Sequence, residues 1–170
     1  MRTESSPAPA GVLTLADVDR TQVVDLLDGY GLTLVEVADG VAIPGSYWGD
    51  PEAGLIGCQV HARSDTPVHS LLHEAAHLIV LPADRRALVH TDATDSVEEE
   101  DAVCYLQIIL ADRLERVGRD RLMRDMDTWG YTFRLGSTKA WFGADADNAR
   151  SWLIERDLLP DTTPDVAAVL

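Results

Sequence analysis

Residues 65–80, D-T-P-V-H-S-L-L-H-E-A-A-H-L-I-V, constrain this chain more than any other stretch. Two imidazoles four residues apart on a helix sit one above the other, near enough to grip one metal ion. His73 and His77 have that spacing. Glu74 would project beside the ion, where a carboxylate can take a proton from water at the metal. The context predicts a helix, with Asp65 or Thr66 as cap and Pro67 in the first helical position. Stepping about 100° per residue, His69, His73, Ala76, His77 and Val80 share one face and Val68, Leu71, Leu72, Ala75, Leu78 and Ile79 the other. The histidine face is therefore expected to look into a cleft while the opposite face anchors the helix. Against this stands the plain alternative of a helix carrying two ordinary histidines.

A zinc site that does chemistry uses three protein ligands and leaves a fourth position for water. The longer motif that adds a third histidine would need a glycine three residues after His77 and a histidine three residues further on. The chain has Val80 and Ala83 there. The next dense carboxylate run opens S-V-E-E-E-D-A-V-C-Y-L-Q-I-I-L-A-D-R-L at Ser96, and reads as a helix. With Glu99 at zero, Val103, Leu106, Leu110 and Val117 fall within about 40° of it, whereas Glu100 and Asp101 point well off that stripe and Glu98 sits at its margin. A carboxylate on an apolar face needs a partner, since burying an unpaired charge is very costly, and a metal would supply one. The competing reading is a capping box, Ser96 with Glu99, which needs no metal. Glu98 is the fallback ligand, and His90 and Asp95 come after it.

H-E-x-x-H followed after about twenty residues by E-x-x-A-x-x-Y (Glu99, Ala102, Tyr105) resembles the ImmA/IrrE-like metallopeptidases, the small gluzincins. The resemblance covers about residues 15 to 117 and extends to the upstream order of helix, short strand pair and edge strand. It implies a zincin-like domain, His73, His77 and Glu99 as zinc ligands, and Glu74 as the catalytic base of peptide hydrolysis. The family often has an aromatic residue where His69 stands and glycine where Ala76 stands, and its L-L-M-P is I-L-A-D here. Its members often act on, or sense, transcriptional repressors and toxin–antitoxin partners.

Charge narrows the partners. With 29 acidic against 14 basic residues the net charge is −15. Such a surface repels nucleic-acid phosphate and anionic membrane and attracts basic segments. The expected partner is a peptide or protein substrate, with neither nucleic acid nor membrane. Cys58 and Cys104 lack paired spacing, so the expectation is reduced thiols in a cytoplasmic protein. No apolar stretch approaches membrane-helix length.

The fold expectation is α+β: a small N-terminal sheet packed against the H-E-x-x-H helix and the glutamate helix, with a helical C-terminal third. Residues 1–12 and 160–170 read as loose ends around one domain at 13–159, with 118–159 packing back onto a core of 15–117. Leu15 to Tyr30 has helical spacing, Asp39-Gly40 reads as a hairpin turn, and 54–62 alternates as one half-exposed strand, a candidate sheet edge. Gly57 would let a substrate backbone pair there. Helices are expected near 119–129, closed by Gly130, and near 144–159. Trp129, Phe133, Trp141, Phe142 and Trp152 are too many large aromatics to leave in water, so this third should pack back onto the body.

Three functions compete. The first is a zinc peptidase, with Tyr131, Arg134, His61 or His69 steadying the oxyanion. The second is a zinc-binding regulatory or interaction protein that cleaves little. The third is a small-molecule metal hydrolase, which a deep closed pocket would favour.

Overall fold

The computed structural model describes residues 11–91 and 96–161. Asp95 and most of the two expected loose ends lie outside them. Seven α-helices and one three-stranded sheet make these residues an α+β fold.

The expected first helix begins late. A short 3-10 turn, Leu15–Asp17, precedes α1 (Arg20–Asp28) because the Asp19 side chain accepts from the Thr21 N–H and caps a new start. Residues 11 and 12, expected to be loose, are tied to the body, with Gly11 O accepting from Arg121. Val12 is buried, and the Leu13 N–H donates to Asp125 at 2.9 Å.

Strands β1 (Thr33–Glu36), β2 (Gly54–Ile56) and β3 (Gln59–Ala62) line up in the order β1-β3-β2. β1 runs parallel to β3, with Thr33 opposite Gln59 and Glu36 opposite Ala62, and β2 is antiparallel to β3. Two expectations change. Asp39-Gly40 does turn, with Val41 N–H donating to Ala38 at 3.1 Å, but no hairpin forms there. The parallel ladder instead continues through Val37 N–H to Ala62. Buried Arg63 binds the departing loop by donating to Val41 O and pairing with Asp50 and Asp65. The alternating segment 54–62 is two strands, because Gly57 takes a left-handed φ of 57° and turns the chain with Cys58. β3 is consequently the central strand. The close backbone approach falls at Gly54, where a Cβ would stand 1.9 Å from Pro44 O.

α2 (Val68–Val80) starts one residue later than expected, with Pro67 outside the helix as cap. Pro67 has no donor to waste, and the Val68 N–H is taken by Leu13 O at 2.9 Å. Beyond Pro82, α3 (Ala83–Arg86) folds back so that Arg86 reaches the end of α2. Its guanidinium donates to Leu78 O at 2.6 Å and Ile79 O at 3.2 Å, and to Tyr30 O at 2.9 Å. Free carbonyls at a helix C-terminus carry partial negative charge and favour such a cation.

α4 (Val97–Ala111), capped by Ser96, lies against α2, α5 (Gly118–Trp129) and α7 (Asp147–Glu155), and every residue from Ala102 to Ala111 is buried. Gly130 closes α5 with φ 114°. An additional helix, α6 (Thr138–Ala144), begins where Asp127 accepts from the N–H and hydroxyl of Thr138. Among the C-terminal aromatics Phe142 stacks on Tyr105 of α4 and Phe133 on Trp141, both at 4.6 Å between ring centres, while Trp129 lies against His69 and Trp152 under Arg156.

Candidate metal centre

α2 is buried at all thirteen positions, so the histidine face does not look into an open cleft. It meets α4. The Nε2 atoms of His73 and His77 stand 3.1 Å apart. A Glu100 oxygen lies 3.0 Å from the first, and its other oxygen 3.3 Å from the second. Four-coordinate zinc with nitrogen and oxygen bonds near 2.0–2.1 Å separates its ligand atoms by about 3.3 Å, the edge of the tetrahedron. The nitrogen pair and each nitrogen–oxygen pair therefore stand at the separation of neighbouring ligand atoms around one such ion. Glu74, buried, completes a group with the two histidines whose ligand atoms all lie within 4.8 Å of one another.

Among the described residues two groups of possible ligand atoms surround His73, one with Glu74 and His77 and one with Glu100 and Cys104, and Glu99, the expected third ligand, is in neither. Its backbone N–H donates to Ser96 Oγ at 3.1 Å, which is the cap arrangement, and Glu100 one residue on turns toward α2. The physical reason is that α4 is buried all round from Ala102 onward, so its apolar residues define no unique inward direction. The polar positions do. Glu100, Cys104 and Gln107 recur at i, i+4 and i+7 and all point at His73. Glu98 is exposed, and His90 is an exposed residue bonded to Thr91.

Gln107, in the apolar run L-Q-I-I-L, is the functional residue that sequence reading missed. Its Nε2 donates to His69 O at 2.8 Å. A backbone carbonyl can only accept, so the amide orientation follows, and Oε1 faces His73 Nδ1 at 2.9 Å. His73 must then carry a proton on Nδ1, which leaves Nε2 as the nitrogen that faces His77 and Glu100 and would meet a metal. Metal-bound histidines are held in this way by the partner of the other ring nitrogen. The donor set fits a divalent metal, and the cluster could hold one.

Without metal, a proton fills part of that role. Burial pulls the His73 pKa down, but Tyr131, Glu100 and Cys104 beside it win and hold it well above the ordinary value. Burial pushes the Cys104 thiol up, against the smaller opposing effect of His73. Asp101 is also raised, by burial and then by Glu100, Asp145 and Glu98.

The four oxyanion candidates separate. The left-handed Gly130 drops Tyr131 beneath α2, edge-on to His69 and His73 at 5.4 and 5.9 Å between ring centres. The Tyr131 hydroxyl is 3.3 Å from His69 Nδ1 and 3.4 Å from Gln107 Nε2. His61 lies on β3 against Gln59, and Arg134 is largely exposed and paired with Asp145.

Comparison of the chain with protein-family models, curated proteins and solved structures finds no match. Among the described residues no helix is long and apolar enough to cross a membrane.

Proposed function

We propose that the chain is a zinc-dependent peptidase with a zincin-like site resembling that of the small gluzincins. His73, His77 and Glu100 would hold the ion, and Glu74 would be the base. The observation that carries this reading is the convergence of two Nε2 lone pairs and both Glu100 oxygens within 3.0–3.3 Å, beside a second buried carboxylate. When bound, zinc supplies Lewis acidity toward water and a carbonyl oxygen.

The chain's own groups then divide the work. Glu74 takes the proton of the attacking water and hands it to the leaving amine. Gln107 holds a proton on Nδ1 of His73 and so orients Nε2 toward the ion. Tyr131, whose ring stands edge-on to His73 and whose hydroxyl lies among His69 and Gln107, is the candidate donor for a developing oxyanion. Glu74→Gln tests the assignment: zinc content should stay near one per chain while peptide hydrolysis disappears. A Glu74→Gln variant that cleaves like wild type ends the peptidase reading.

The depth of the site favours a second reading, a metal-holding interaction protein with little turnover. His73, Glu74 and His77 are only 1, 6 and 7% exposed. On that reading the biological output survives Glu74→Gln and is lost with His77→Ala.

A further inference from the structure

Asp101, the residue after Glu100 on α4, lines a cavity of about 310 Å³. Phe133 and Trp141 line it, together with Asp101, Asp145, Asn148 and Arg134. Successive helical residues point about 100° apart, so Glu100 can face the imidazoles while Asp101 faces this cavity. A row of rings links the two places. Tyr131 stands against His73 and lies parallel to Phe133 at 6.4 Å, and Phe133 stacks on Trp141.

We propose that this cavity receives the lysine or arginine side chain of a peptide residue flanking the cleaved bond. The inference rests on the peptidase reading and names its substrate class. The aromatic pair offers an apolar wall to a methylene stem and a π face to a cation. Two carboxylates line the cavity against one guanidinium. That guanidinium is a replaceable stand-in: the Arg134 side chain is 79% exposed and bonds Asp145 at 3.0 Å. An exposed pair of this kind contributes little and exchanges readily. An acidic side chain would meet the same two carboxylates in a chain of net charge −15.

The test uses Nα-acetyl-lysine N-methylamide and its norleucine counterpart, which keeps the carbon chain and lacks the ammonium. Titrated into the Glu74→Gln protein and followed by NMR, the lysine probe should move the Trp141 indole signal and bind about tenfold tighter than norleucine. Asp101→Asn with Asp145→Asn should erase that difference, and Arg134→Ala should tighten the lysine probe by removing its competitor. Equal binding of the two probes, or shifts confined to other residues, overturns the proposal. The wild-type, zinc-loaded protein is then given peptides differing only in lysine or norleucine. Cleavage of both alike overturns the cavity assignment and leaves the peptidase. Lysine-selective binding at Trp141 with neither peptide cleaved overturns the peptidase and leaves a cation site.

Discussion

At the scale of single residues, one carboxylate and one amide decide the centre. If Glu100 completes the ligand set, Glu100→Gln should weaken zinc binding more than any outer residue does, and Glu99→Gln should leave it nearly unchanged. Competition with a zinc-sensitive dye reads both, and equal losses would reject Glu100. Gln107→Leu removes the acceptor that holds the His73 proton on Nδ1. Losing such a group typically lowers metal affinity about 10–100-fold, with the metal still bound at saturating concentration. The two thiols are predicted to differ as well. Cys58 is half-buried, whereas Cys104 is buried with its pKa raised. A thiol reagent at neutral pH should modify one cysteine per native chain quickly and the second only on unfolding.

At the scale of elements, α2 depends on its ends. No side chain caps its start, which leans on Leu13 O, and its last carbonyls rely on Arg86. Arg86→Ala should cost about 1.5–3 kcal/mol, the loss expected for hydrogen bonds made by a charged group, measured by denaturant unfolding of the metal-free protein. The sheet depends on a close approach at Gly54. Gly54→Ala would press its methyl carbon onto Pro44 O, so a much larger loss is expected there than at Gly40, where nothing lies within 4 Å of the added carbon. Helix boundaries in the C-terminal third were readable from Gly130, while α6 was not. Its local cap, Ser137 accepting from the Ala140 N–H, is joined by Asp127, eleven residues upstream of Thr138, and no local pattern announces that second contact.

At the scale of the whole molecule, proton, metal and fold are linked through His73. Its folded pKa lies above the unfolded value in the metal-free protein. The stability it contributes is therefore complete below about pH 6.5, the unfolded value, and is lost as pH rises through the folded pKa. Zinc binding needs the deprotonated ring, so affinity should keep rising across that same window. Melting temperatures measured from about pH 6.5 upward should fall for the metal-free protein and stay level for the zinc-loaded one, whose rising affinity offsets that loss. Parallel curves would place the titrating group elsewhere.

What the sequence by itself determined is what sits within one helical turn or one turn of chain. His73, Glu74 and His77 come together because a helix has 3.6 residues per turn, and Gly130 ends its helix because glycine tolerates the left-handed region. The acidic balance and the α+β order were equally legible. Tertiary structure alone decided which glutamate meets the histidines. α4 is wrapped on every side, so its apolar pattern holds no phase, and only the packing of α2 against α4 turns Glu100 and Gln107 toward His73. The parallel pairing of β1 with β3 was hidden for the same reason. It joins residues some twenty-six positions apart, and such contacts are settled by which faces can be buried together rather than by any local preference.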